Sequence, residues 1–236
     1  MAIRMKHQIP LWQQQFQNDS PEKLLVWFCD NFPGAVTFST SFSVEDQVIL
    51  HILVSNQLDV RVFTLDTGRL FPETYDLIDL VSKKYNIRIF TYFPDTLKVE
   101  QMINSKGINL FYDSVENRRE CCTVRKTEPL TRAQEGMKVW VTGMRKDQSV
   151  TRNDMDLISW EEKSGMIKVN PLINWSLDRV MDYLDQYKVP FNPLHKRGYS
   201  SIGCAPCTRA VMPGEDIRAG RWWWEHPENR ECGLHK

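Results

Sequence analysis

An open, mostly parallel α/β sheet with helices on both faces is the fold this 236-residue sequence predicts. Three observations predict it. Short apolar runs at residues 35–39, 60–65, 87–93, 138–142 and 167–169 have the length and side-chain content of strands. Helix-patterned segments alternate with them, which is the signature of a parallel sheet with helical crossovers. Polar loops at 39–45, 66–69 and 143–152 follow three of the strands, and ligands of such sheets bind beyond strand C-terminal ends.

The elements follow in order. Residues 1–18 are polar and read as an N-terminal arm, either an initial helix or a loose end. Ser20-Pro21-Glu22 opens a helix with a hydroxyl N-cap and a proline in the first turn; the helix runs to about Asp30 and stops before Pro33-Gly34. The first strand, 35–39, leads into the Ser/Thr-rich loop Ser39-Thr40-Ser41-Phe42-Ser43 and a helix over 45–53. The second strand, 60–65, ends in Asp66-Thr67-Gly68-Arg69, and Pro72 opens a helix through Tyr85. After the third strand come a helix over 96–103 and a longer one over 114–133. The fourth strand ends in Gly143-Met144-Arg145, and a polar stretch runs to about Asp156. Strand 167–169 and a capped helix over 176–188 complete the pattern; beyond Pro190 the chain is loop-like.

Composition bounds the function. The chain reads as a single domain over 1–236, with a mobile C-terminal tail from about 210 to 236. Formal net charge is zero, so no global field draws nucleic acid or a membrane surface, and any anion site must be local. No apolar run reaches the length of a membrane span, and the N-terminus lacks the apolar stretch of a signal peptide. A cytoplasmic location is therefore expected, where thiols stay reduced and cysteines serve metal or catalysis rather than disulfides.

Five of the six cysteines stand in informative places. Cys121 and Cys122 are adjacent, and Cys204 and Cys207 form a C-x-x-C. Four thiolates suit tetrahedral zinc or an iron–sulfur cluster. The adjacent pair favours the cluster, because successive helical residues point about 100° apart and one metal atom needs converging ligands. Cys29 lies in an apolar helical stretch and reads as core. Cys232 stands four residues from the C-terminus, where a lone thiol reads as a nucleophile, with His235 placed to position it or lower its pKa, or as part of a dispensable tail.

The polar loops each carry two readings. The serine loop is an anion site at a helix N-terminus or a capped βα turn. It lacks the Gly-Lys-Ser/Thr ending of a Walker loop, and Phe42 among the serines favours an anion smaller than triphosphate. Asp66 and Gly68 contact adenine or ribose, or merely cap the helix at Pro72. Arg145 and Arg152 bracket a loop that folds over an anion, guanidinium geometry matching phosphate and sulfate, or a solvated charged loop.

Together these residues resemble the assimilatory adenylyl-sulfate (APS) reductases of the APS/PAPS reductase family. The resemblance is carried by Cys121-Cys122, Ser-Ile-Gly-Cys-Ala-Pro-Cys at 201–207, Glu-Cys-Gly-Leu-His at 231–235, the loops at 39–46 and 65–68, and Thr-Gly-Met-Arg at 142–145. It implies an adenine nucleotide alpha-hydrolase-like fold and one 4Fe–4S cluster on Cys121, Cys122, Cys204 and Cys207. It implies sulfite production from APS with thioredoxin as electron donor. By position, Ser39, Ser41, Ser43 and Leu65 match nucleotide loops, and Lys126 matches a lysine between cluster and substrate. Arg145 matches an arginine loop, and Arg218 and Arg221 match basic residues upstream of the C-terminal motif. Cys232 matches the nucleophile, and His235 the histidine beside it. The related PAPS reductases typically lack the four cluster cysteines, which favours APS, although some cluster-containing bacterial members accept both substrates. Rival readings are an ATP-pyrophosphatase-like sulfur-transfer enzyme and a zinc-stabilised binding module. Homo-oligomerisation stays open. For Trp222-Trp223-Trp224, ordinary packing is favoured for at least two of the three over a thioredoxin-docking patch.

Overall fold

A computed structural model describes residues 2–148 and 154–226. The chain divides into two compact units. The first comprises residues up to 63, 76–90 and 136–192; the second comprises 64–75, 91–135 and the chain from 193 onward.

The first unit is organised by a six-stranded sheet of order β3-β2-β1-β4-β6-β5. Its strands are β1 (Val36–Ser39), β2 (Arg61–Leu65), β3 (Phe90–Tyr92), β4 (Val139–Val141), β5 (Ile158–Glu161) and β6 (Met166–Val169). β1 pairs in parallel with β2 and with β4, and β4 with β6, as the alternating pattern requires. Val36, Thr37 and Phe38 are all buried, because helices cover both faces of a parallel sheet.

β5 is absent from the sequence reading. It runs antiparallel to β6 at the sheet edge. Its Ile-Ser-Trp-Glu run lies in a charged stretch and only Ile158 is fully buried, so alternation is short and weak there. Gly165, at φ +65°, turns the chain back into β6.

The helices of this unit start where side chains cap them. Ser20, Ser43 and Ser176 accept from backbone N–H groups at the starts of α2 (Pro21–Asn31), α3 (Val44–Ser55) and α8 (Leu177–Gln186). α4 (Pro72–Tyr85) follows β2, and the N-terminal residues form a regular helix, α1 (Ala2–Phe16). Its Trp12 and Phe16 are buried against Trp27 and Phe28 of α2, with ring centroids 5.1–6.4 Å apart across this group.

The second unit is helical and irregular. The helix expected over 114–133 is present as three consecutive pieces: α6 (Val115–Cys122), a π turn (Thr123–Thr127) and α7 (Glu128–Ala133). Ser114 caps its start. α5 (Thr96–Lys106) belongs to the same unit. Its buried cluster consists of Met102, Leu110, Phe111, Cys121, Cys204, Cys207 and Trp222. Among the described residues, no helix is long and apolar enough to cross a membrane.

Phe38 is fully buried in β1, between both of its sheet partners. Phe38→Ala should lower unfolding free energy by about 3–5 kcal/mol. Urea denaturation checks this as a shift in midpoint at unchanged slope.

Candidate active site

In the first unit the chain steps outward from β1 to β2 and β3, then returns to β4 on the other side of β1. The β1/β4 junction is therefore the topological switch point, where open α/β sheets take their ligands. The serine loop leaves β1 there and the Thr142-Gly143-Met144-Arg145 loop leaves β4. Two buried carboxylates join these loops. Asp46 Oδ2 accepts from the Ser41 N–H at 2.7 Å, the Ser41 hydroxyl at 3.0 Å and the Ser43 N–H at 3.3 Å. A Cβ at Gly143 would lie 2.2 Å from Asp46 Oδ1, so only glycine lets the second loop pass this close. Glu45 Oε1 accepts from Arg145 Nε at 2.9 Å, and Arg145 Nη1 donates to the Trp175 carbonyl at 3.2 Å.

Burial raises the Asp46 carboxyl to about 6; the Ser41 bonds pull it down and neighbouring Glu45 pushes it further up. Phe42 is buried at φ +60°, an uncommon backbone for a bulky residue, with its N–H held by Thr40 Oγ1 at 3.0 Å. Ser39 Oγ accepts from the Trp140 indole at 2.8 Å. Gln47, one position beyond Asp46, is fully buried with neither amide atom hydrogen-bonded. Nothing in the sequence signals that.

The sequence put Arg145 at the edge of a polar loop. The structure instead puts it inside the first unit, 1% exposed and ion-paired to Glu45. The reading of Arg145 as part of a solvated charged loop is corrected: an unpaired guanidinium is expensive to bury, and Glu45 supplies its partner.

The second unit holds the cysteines. Cys121, Cys204 and Cys207 are buried in its hydrophobic cluster, and Cys122 packs against it half-buried. None of the four is in a disulfide among the described residues. Burial pushes Cys207 up to about 12, helped by Cys204 and opposed by Lys126 and Arg221. Cys121 is raised by burial and pulled down by Arg125 and Lys126. The π turn matters here. It carries Lys126, which pulls both Cys121 and Cys207 down.

The loop after β2 is stitched to these cysteines within the same unit. Thr67 Oγ1 lies 3.2 Å from Cys204 Sγ, Arg125 Nη1 donates to the Thr67 carbonyl at 2.6 Å, and the Ala205 N–H donates to the Arg69 carbonyl at 2.8 Å. Asp66 Oδ1 accepts from the Gly68 N–H and the Tyr75 hydroxyl, both at 2.8 Å. That is an Asx turn, with Gly68 at φ +70°. Arg221 donates to Ser201 Oγ at 3.0 Å and fills the space over Gly203, where a Cβ would come within 2.4 Å of Nη2.

Among the described residues, no three His, Cys, Asp or Glu side chains form a group that would hold a metal ion. The donor chemistry nevertheless fits a sulfur-rich anionic cluster. Arg125 Nε, Arg221 Nε and the Trp222 indole N–H are buried without an acceptor. Arg125 acts on Cys121, Arg221 acts on Cys207, and Trp222 shares the cysteine cluster. Buried N–H donors without partners are rare, and sulfur acceptors would satisfy these.

Of the residues singled out in the sequence, Ser39, Ser41, Ser43 and Arg145 gather at the first unit's switch point. Asp66, Gly68, Lys126, Arg221 and the four cysteines belong to the second unit, as does half-buried Leu65 at the end of β2. Arg218 is half-buried, its N–H bonded to Asp216 Oδ1 at 2.8 Å. Arg152, Cys232 and His235 lie outside the described residues. Cys29 is core in the first unit, raised to about 11 by burial and then by Asp30. Trp222 and Trp224 pack into or against the cysteine cluster, while Trp223 is exposed.

Residues 35–210 match the phosphoadenosine phosphosulfate reductase domain. The chain belongs to the APS/PAPS reductase family. It is 50% identical over 202 residues to adenosine 5'-phosphosulfate reductase of Allochromatium vinosum, covering 86% of this chain and 79% of that protein. The Burkholderia cepacia protein of the same name is 47% identical over 200 residues, covering 85% and 80%. Phosphoadenylyl-sulfate reductase of Candida auris, solved as a phosphate complex, superposes with TM-score 0.74 at 30% identity, covering 87% of this chain and 97% of that one. Candida glabrata FMN adenylyltransferase, with FAD and pyrophosphate, shares the fold alone, at TM-score 0.57 and 17% identity over 97% of this chain and 78% of that one. The fold is adenine nucleotide alpha-hydrolase-like, and the family places the chain among oxidoreductases acting on sulfur groups.

Asp46 predicts a pH dependence. Its folded pKa, about 6, lies above its unfolded value of 3.8. The unfolded chain therefore loses this proton first as pH rises, and the folded state loses stability between about pH 4 and pH 6. The loss is on the order of 3 kcal/mol at 1.36 kcal/mol per unit. Thermal melts of the protein and of Asp46→Asn at several pH values check it. The unsubstituted protein should gain on the variant as pH falls from 6 to 4; a constant difference contradicts the assignment.

Proposed function

We propose that this chain reduces adenylyl sulfate to sulfite and AMP, with thioredoxin as electron donor and an S-sulfocysteine on Cys232 as intermediate. One observation carries the reading: a core of buried cysteine thiols ringed by acceptor-less N–H donors, in a chain half identical to a relative named adenosine 5'-phosphosulfate reductase. The reading makes the chain part of assimilatory sulfate reduction and cysteine biosynthesis.

The Cys232 thiolate attacks the sulfur of APS. The bond from sulfur to the phosphate oxygen breaks, and AMP leaves with the electron pair. Cys232 then carries the sulfonate. A thioredoxin thiolate attacks the Cys232 sulfur, and sulfite leaves with the electrons of the S–S bond. The second thioredoxin thiol resolves the mixed disulfide, so thioredoxin supplies both electrons. His235 favours the Cys232 thiolate. Lys126, Arg218 and Arg221 offset the repulsion between an anionic nucleophile and an anionic substrate, and stabilise charge on the leaving AMP. Ser39, Ser41, Ser43, Leu65, Asp66 and Gly68 bind the nucleotide. Arg145, ion-paired to Glu45, and Arg152 form the arginine loop that contacts the substrate anion. Cys121, Cys122, Cys204 and Cys207 hold one 4Fe–4S cluster, which supplies a fixed negative charge and a structural anchor rather than electrons.

A second reading, acceptance of PAPS as well, is favoured by the structural likeness to the Candida auris enzyme. Sulfite release from APS and from PAPS by anaerobically purified protein with thioredoxin separates the two. At least tenfold preference for APS is expected; equal rates mean dual specificity. Cys232→Ser should form no S-sulfonated protein by mass spectrometry while still binding APS. A fully active Cys232→Ser enzyme would sink the mechanism.

A further inference from the structure

Arg118 and Glu225 form a buried ion pair that the chemistry above does not use. Arg118 Nε donates to Glu225 Oε1 at 2.8 Å and Nη2 to Oε2 at 2.7 Å, with side chains 1% and 3% exposed. This two-pronged geometry is the strong form of an arginine–carboxylate contact. The two residues are 107 positions apart, and both belong to the second unit.

Each partner is attached to something consequential. Arg118 lies on α6, three and four residues before Cys121 and Cys122, the spacing at which helical side chains share a face. Glu225 lies seven residues before Cys232 in the sequence. Between them sits Trp222, 1% exposed and at φ +41°. Guanidinium groups lie over its ring from Arg118 at 4.8 Å and from Arg221 at 4.7 Å. The Trp222 backbone N–H donates to the Cys207 carbonyl at 3.2 Å, and its carbonyl accepts from the Glu225 backbone N–H at 2.8 Å. A bulky residue persists in such a backbone only where its surroundings over-determine it.

We propose that Arg118 and Glu225 are positioning residues: a latch that fixes the start of the C-terminal segment to the helix bearing Cys121 and Cys122. The latch defines the origin from which Cys232 reaches substrate. Without it, the nearest backbone anchor retreats from Glu225 to the Trp222–Cys207 bond, and loss of Arg118 removes one of the two guanidinium groups over the Trp222 ring. Lengthening the stretch between that anchor and Cys232 from seven residues to ten lowers the effective concentration of the thiol at its target. The structural part of this inference stands by itself; its catalytic consequence rests on the proposed role of Cys232.

The test uses Glu225→Gln, Arg118→Met and the double variant Arg118→Met/Glu225→Met. The double variant leaves no uncompensated buried charge and keeps the fold testable if a single variant is unstable. Hydrogen exchange of the Trp222 and Glu225 amides should quicken by about tenfold or more in every folded variant. Single-turnover S-sulfonation of Cys232 at saturating APS, without thioredoxin, should slow by about tenfold or more, with AMP affinity within about twofold of the unsubstituted protein. The double variant should be no slower than the worse single, as expected of coupled partners. Unchanged exchange overturns the latch. Faster exchange with an unchanged sulfonation rate overturns its positioning role. If the unsubstituted protein forms no S-sulfonate from APS, the proposed function fails, and exchange alone decides the latch.

Discussion

The second unit has thiols where a small domain normally has aliphatic side chains. Three of the residues in its buried cluster are cysteines, beside Met102, Leu110, Phe111 and Trp222. A core this small and this polarisable buries little apolar surface, and units of this kind usually lean on a staple or a metal. The same burial that packs Cys207 pushes its thiol up to about 12, so a bare pocket holds it protonated. Arg125, Lys126 and Arg221 tilt the cysteines the other way, toward the thiolate that a ligand needs.

The first unit solves a different problem with the same economy. Parallel pairing of β1 with β4 brings two polar loops to the switch point, and two acidic residues in succession hold them there. Glu45 neutralises Arg145 inside the unit. Asp46 gathers the N–H groups of the serine loop while Gly143 gives it room. Breaking a buried pair such as Glu45–Arg145 by removing one partner costs about 3–5 kcal/mol, which makes the loop shape hard to vary. Serines that look like free ligand donors in the sequence are partly committed to this scaffold: Ser41 serves Asp46, Ser43 caps α3, and Ser39 receives the Trp140 indole.

Much of this was legible in the sequence, for reasons that differ by residue. The α/β alternation was readable because β1, β2 and β4 are buried on both faces and so read as continuous apolar runs. β5 was not, because a half-buried edge strand in a charged stretch gives weak alternation. The cysteine pairs announced themselves by local spacing. Their surroundings did not: Thr67 reaches Cys204 across 137 positions and Arg118 reaches Glu225 across 107, and no local pattern encodes such partners. Arg145 was found for its charge but not for its burial, since a guanidinium in a polar run gives no sign that Glu45 awaits it. The π turn was invisible because its five residues keep a helical composition.

The account turns on what the four cysteines of the second unit hold. Iron and acid-labile sulfide, with zinc assayed alongside, on protein purified without oxygen test this most directly, and Mössbauer spectra resolve the cluster type. The account predicts about four iron and four sulfide per chain with the spectrum of one 4Fe–4S centre, all lost when Cys121 and Cys204 are replaced together by serine. One zinc per chain with no iron or sulfide would contradict it, and would make the orphaned N–H donors around these thiols a feature without a purpose.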